Sequence, residues 1–209
     1  MRKEVGILNK KVVIIGAGGH GRVVADIAEA CGDTVLGFLD DSNTINNKVK
    51  VIGTSADAEK YCDGETELFV AIGNGKVREK IMNSLPNAKW YTAIHPSAVI
   101  SPSVIVGEGT CIMPNAVVNN SAVIGRGCII NTCASVDHDD VIGDYVHISC
   151  GVRLAGTVTV GKGTWVGIGS TVSNNITIGS DIMIGAGAVV VKDIKEEGTY
   201  VGVPARKIK

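Results

Sequence analysis

From Ile94 onward an aliphatic residue stands at every sixth position: Ile94, Ile100, Val106, Ile112, Val118, Ile124, Ile130, Val136, Ile142, Ile148, Leu154, Val160, Val166, Val172, Ile178, Ile184 and Val190. A helix repeats about every 3.6 residues and a strand about every two, so neither makes this pattern. A longer period of eighteen places Gly107, Gly125, Gly143, Gly161 and Gly179 directly after an anchor. Three hexads per circuit describe a triangular solenoid with a short strand on each side, every anchor stacking on those above and below. The recurrent glycine marks a corner that needs either positive φ or space where a Cβ would sit. Four residues after each anchor the side chain is usually small or β-branched, as in Ala98, Val104, Thr110, Ala116, Ala122, Cys128 and Ala134. That suits a narrow interior and accounts for an aromatic content of only 4%. Asp140 is the exception: a carboxylate in this inward position costs free energy unless it finds partners.

The first part of the chain has a different rhythm. Between Lys11 and Ile94 the segments "KVVIIG", "HGRVVADIAEAC", "TVLGFLD", "SADAEKYC", "LFVAIGN", "KVREKIMNSL" and "KWYTAI" alternate strand and helix patterns. They predict a small Rossmann-like parallel sheet covered on both faces, an α/β domain over 11–93 after an arm at 1–10. The solenoid and a C-terminal tail fill 94–209. "GAGGHG" sets Gly16, Gly18 and Gly21 in G-x-G-x-x-G spacing after a strand and before a helix, where backbone N–H groups and the helix N-terminus suit phosphate. Asp40 and Asp41 close the second strand, where an acid can accept a ribose hydroxyl. An NAD domain needs two mononucleotide-binding halves, and about four strands supply one, so NAD is not expected. His20 adds a bulky side chain expected to point into the crevice.

Across 209 residues, 20 basic and 21 acidic side chains leave a net charge of −1 with no basic run that would track nucleic acid. Six cysteines without a C-x-x-C pair, and no signal segment, lead us to expect free thiols in a cytoplasmic protein. No apolar run approaches the roughly 18 residues of a membrane span.

Two of the four histidines, His138 and His147, lie in the hexads. Three histidines per zinc would be needed for a hexapeptide-repeat metalloenzyme, so no metal is expected. His138 falls two residues after Val136, where a corner side chain points outward, and its stacked neighbours are Asn120 and Gly156. The glycine is expected to leave space for a ligand. Either Asp139 or Asp140 can fix the imidazole tautomer and raise its basicity. No Ser or Cys stands in a nucleophile elbow, which favours direct transfer over a covalent enzyme intermediate.

With "GVPAR" at 202–206 closing the hexads, and with "GAGGHG" and "FLDD" before them, the chain resembles the hexapeptide-repeat sugar acetyltransferases over nearly its whole length. The resemblance implies a left-handed parallel β-helix, an exception to right-handed crossovers. It further implies homotrimers with active sites between subunits, acetyl-CoA as acyl donor and a nucleotide-sugar acceptor. His138 becomes the general base, with Asp139 where the family has Glu. His147 contacts acetyl-CoA, and Ile168 and Ala186 line its channel, the family having Gly in place of Ala186. Gly18, Gly19 and His20 lie near the phosphates or sugar, Asp40 and Asp41 near the nucleoside, and Gly73 and Asn131 toward the acceptor. The expected reaction is N-acetylation of a nucleotide-linked amino sugar of the UDP-4-amino type. Acetylation of a sugar hydroxyl is the alternative.

Overall fold

The computed structural model describes residues 9–42 and 49–209, so the expected arm lies outside the described residues except for Asn9 and Lys10. The α/β region runs β1 (Lys11–Ile15), α1 (Gly19–Ala30), β2 (Thr34–Leu39), β3 (Val51–Gly53), a 3₁₀ helix (Ser55–Tyr61), β4 (Thr66–Val70), α2 (Gly75–Ser84) and β5 (Lys89–Trp90). All pairings are parallel, in the order β3-β2-β1-β4-β5. Val12, Val13, Ile14 and Ile15 of the central strand are all buried, as a strand covered on both faces requires.

Two expectations need correction. The sheet has five strands rather than about four: the short edge strand β3 carries too few apolar residues to register as a run. "KWYTAI" is not one strand, because Lys89–Trp90 ends the α/β sheet while Ala93–Ile94 begins the first rung of the solenoid. Among the described residues the sheet therefore has five strands, with β1 at its centre.

Two-residue strands follow at six-residue intervals from Ala93–Ile94 to Val189–Val190 and pair in parallel with those eighteen residues away. They form three sheets, consistent with a left-handed β-helix. The first face holds Ile129–Ile130, His147–Ile148 and Trp165–Val166; the second holds Ser135–Val136; the third holds Val141–Ile142. Every anchor from Ile112 to Val190 is buried within one continuous core, whereas Ile94, Ile100 and Val106 at the open end are half-buried. Truncating a central anchor such as Ile148 to alanine therefore costs about 2–5 kcal/mol.

The structure separates the two roles of glycine. Gly107 lacks positive φ, and a Cβ there would lie 2.5 Å from Arg126 N, so close approach of the next coil excludes a side chain. The left-handed residues stand elsewhere, three after each anchor from Gly109 to Gly187, with φ between 55° and 70°. Asn115, Ser121, Asp139 and Asn175 are among them, residue types that tolerate this region or bond locally within it.

The α/β sheet and the first face share a core. Val12, Ile14 and Phe69 pack in one cluster with Cys111, Met113 and Ile129, while Met82 and Trp90 pack in another with Tyr145.

Candidate functional site

The corner 137–140 departs from the repeat in its backbone. Elsewhere the residue after an anchor donates to the anchor one coil on, as Asn119 N does to Val136 O and Ala155 N to Val172 O. Here Asp137 N instead donates to Asp140 Oδ2 at 2.9 Å, and the rung pairs only Ser135 with Arg153. Asp140, fully buried, also accepts from Val158 N through Oδ1 at 2.7 Å. Burial pushes its carboxyl up to about 6, against the lowering effect of both N–H groups. Thr110 accepts from Cys128 N in the equivalent way, so the inward position tolerates a polar side chain that takes the N–H of the next coil.

Asp140 thus spends its oxygens on the backbone, and Asp139 faces the histidine. His138 Nδ1 lies 2.9 Å from Asp139 Oδ2, with Asp139 at φ 61°. That hydrogen bond, above all, raises the imidazole above its ordinary 6.5. His138 N donates to Asp137 Oδ1 at 2.7 Å, and Asn119 Nδ2 donates to the same oxygen at 2.8 Å. The ring is exposed and occupies the space over Gly156, where a Cβ would stand 2.5 Å from Cε1 and Nε2. Gly156 therefore makes room for the imidazole itself, not for a ligand as the spacing suggested.

A second cluster lies on the first face. His147 is buried, stacks on Trp165 with centroids 4.7 Å apart, and shares a 3.1 Å hydrogen bond between Nε2 and Asn131 Nδ2. Trp165 Nε1 donates to Ser149 Oγ at 2.8 Å. Burial lowers His147 to about 3, with the charges of Arg78 and His20 adding to the shift and a backbone interaction with Gly73 opposing it. Burial and Arg78 likewise lower His20 to about 4. Its ring sits edge-on to Phe69 at 6.3 Å, and Nε2 is buried without a hydrogen-bond partner. Ile168 and Ala186, eighteen residues apart, are exposed on the next corner.

The third component is a crevice of about 400 Å³ at the carboxyl ends of β1, β2 and β4, whose walls include Gly16, Gly18, Asp40, Asp41, Ala71 and Ile72. This is where open α/β sheets bind ligands. Gly16, at φ 106°, turns the chain, and a Cβ at Gly21 would collide with the Gly16 carbonyl, so helix and strand approach closely. Nothing stands within 4 Å of a Cβ position at Gly18, and Gly19 opens α1 beside it. Asp40 Oδ2 accepts from Ala17 N at 2.6 Å, and Asp41 accepts from Ser55 N and Oγ, both at 2.7 Å. The residues lining this crevice do not include His20, whose ring stands by Phe69 and within the influence of the Arg78 charge. Gly73 lies next to Trp165, its Cβ position 3.9 Å from Cη2, which brings this loop to the His147 cluster.

Within one chain His138 and His147 do not meet. The 137–140 corner joins the second face to the third, which makes it the vertex opposite the first face. Sequence reasoning also passed over Trp165, one full circuit after His147, and Asp137. The eighteen-residue period that aligned the glycines marks Trp165 as the stacking neighbour of His147.

Residues 11–85 match the family described as the PglD N-terminal domain. UDP-N-acetylbacillosamine N-acetyltransferase of Bacillus subtilis (strain 168) is 38% identical over 116 residues, which cover 48% of this chain and 50% of that protein. The chain spans half or less of the length of the curated relatives it matches. Among solved structures, the acetyltransferase domain of PglB from Neisseria gonorrhoeae FA1090 in complex with acetyl coenzyme A superposes with a TM-score of 0.90 at 39% identity, over 96% of this chain and 100% of that one. PerB from Caulobacter crescentus, in complex with CoA and GDP-perosamine, superposes with a TM-score of 0.90 at 40% identity, over 95% and 97%. With repeat, α/β domain and near-complete structural overlap in agreement, the chain belongs to the PglD-type hexapeptide-repeat sugar N-acetyltransferase family.

Proposed function

We propose that the protein transfers an acetyl group from acetyl-CoA to the amine of a nucleotide-linked amino sugar, and that His138 is the general base. One observation carries the assignment: an exposed imidazole, hydrogen-bonded through Nδ1 to Asp139, stands at the one rung whose pairing is interrupted. With Nδ1–H donating to the carboxylate, Nε2 is the nitrogen left to take a proton. Acetyl-CoA supplies a thioester carbonyl that an amine attacks without an enzyme nucleophile. The C–N bond forms and Nε2 of His138 takes the proton released from the amine; the C–S bond then breaks, and the imidazolium returns that proton to the departing sulfur, so coenzyme A leaves as its thiol and the base is restored. The base contributes about 10²–10⁴ in rate, and holding both substrates in register contributes much of the rest.

The crevice suits the nucleotide portion. Gly18 and the start of α1 offer backbone N–H groups to phosphate, and the carboxylates of Asp40 and Asp41 retain lone pairs for hydroxyl donors. Gly73 and Asn131 then face the sugar. His147 and the exposed Ile168 and Ala186 form the surface offered to acetyl-CoA; the Ala186 methyl, being exposed, narrows that surface without displacing a neighbour. PerB, which resembles this chain over most of its length, was solved with CoA and GDP-perosamine, a donor product and an amino-sugar nucleotide.

His138 occupies the vertex opposite the first face, which supports a reading in which a second copy supplies it to the crevice of the first. A cyclic homotrimer with three shared sites meets that need. Coenzyme A thiol release from acetyl-CoA, measured with UDP-, GDP- and CMP-linked amino sugars in turn, tests the reading. Turnover with one amino sugar and none with its hydroxyl counterpart is expected. Turnover confined to hydroxyl acceptors overturns N-acetylation.

A further inference from the structure

Arg78, in the second turn of α2, is 1% exposed, and among the described residues no carboxylate forms an ion pair with it. A buried, unpaired cation is expensive, and this one is offset entirely by main-chain carbonyls. Nε donates to Gly127 O at 2.7 Å; Nη1 donates to Ile72 O at 2.9 Å and Gly73 O at 2.8 Å; Nη2 donates to Tyr145 O at 2.7 Å and Val146 O at 3.4 Å. These five contacts use all the donors of a guanidinium. Their acceptors come from two places: the loop after β4, which walls the crevice, and two successive coils of the solenoid.

The surroundings reinforce the joint. A Cβ at Gly75, the first residue of α2, would lie 2.7 Å from Tyr145 O, so the helix starts in direct contact with the coil. Lys162 reaches Glu79 at 2.5 Å on the outer side. The chain thus gives up a carboxylate partner for Arg78 and spends the full donor set on tying loop to coil.

We propose that Arg78 is a positioning residue that locks the 72–74 loop onto the coils carrying His147 and so fixes where an acceptor in the crevice lies relative to the acyl donor. The inference deepens the acceptor assignment made above and rests on it. Lysine in its place keeps the charge but offers three donors from one point and cannot span both sets of carbonyls. Gly75→Ala perturbs the same joint without touching any charge.

The experiment measures KM for the acceptor and for acetyl-CoA in the wild type, Arg78→Lys and Gly75→Ala, with UDP and GDP binding followed by calorimetry. Both variants are expected to raise acceptor KM at least tenfold and to weaken the bound nucleotide at least threefold, with acetyl-CoA KM within threefold of wild type. Acceptor KM within twofold of wild type overturns the proposal, as does an equal rise in both KM values; Gly75→Ala decides if Arg78→Lys is insoluble. A wild type that binds UDP or GDP but turns over no amino sugar sinks the reaction, and nucleotide affinity then decides for Arg78. A wild type that binds neither UDP nor GDP and turns over no UDP-, GDP- or CMP-linked amino sugar overturns both readings.

Discussion

The imidazole of His138 lies over Gly156 of the next coil, in space where a Cβ would stand 2.5 Å from Nε2. Because Gly156 does not require positive φ, alanine is tolerated by the backbone there and acts on the ring alone. Gly156→Ala should lower kcat about tenfold or more while the thermal midpoint changes little, since displacement of a general base by about an ångström is costly to rate. Steady-state kinetics beside a melting curve checks this; unchanged kcat would show that the ring position over Gly156 is not the reactive one.

Asp139 raises the affinity of His138 for a proton. As the proposed base it works when neutral, so kcat should climb with pH along a limb centred above 6.5, the ordinary histidine value. Asp139→Asn removes the charge and keeps the shape. The limb should move to lower pH, toward the ordinary value, and the plateau should fall because a less basic imidazole takes the proton less readily. A pH–rate profile of both proteins provides the measurement, and a limb that stays in place assigns the perturbation to another group.

Asp140→Ala leaves Asp137 N and Val158 N without their acceptor, each costing about 1–3 kcal/mol if no substitute is found. The sign with pH is unusual for a carboxylate. Its folded value, about 6, lies above the ordinary 3.8, so the folded state holds the proton more tightly than the unfolded chain. The stabilising contribution of that proton is therefore complete below about 4 and is lost as pH rises through about 6. Denaturant unfolding at pH 4 and pH 7 should show the gap between wild type and Asp140→Ala narrowing at the higher pH.

Much of this was legible in the residues because the solenoid is written at a fixed period. Anchors, narrow interior and the exposed position of His138 follow from counting sixes, and Asp140 stood out against its stacked neighbours. What the count could not give was which carboxylate reaches the imidazole: adjacent in sequence, Asp139 and Asp140 are sent to opposite sides of the backbone at a left-handed corner. The surroundings of His20 are illegible for a related reason. Its glycine-rich surroundings suggest the crevice, but the first turn of α1 points it at Phe69 and the Arg78 charge, a tertiary relationship that no local pattern records.

A site shared between copies has a test of its own. Given parents that each lose activity, hybrid oligomers assembled from His138→Ala chains and Asn131→Ala chains should regain activity that neither parent shows, because some interfaces then pair an intact His138 with an intact first face. Hybrids as inactive as their parents would place the whole site within one chain.

The most direct measure of proton transfer by His138 is the turnover number of a variant that lacks the imidazole. His138→Ala should keep the solution mass of the wild-type assembly and lower kcat for coenzyme A release about a hundredfold or more in the presence of the amino-sugar nucleotide. Near-normal kcat in that variant would contradict the mechanism.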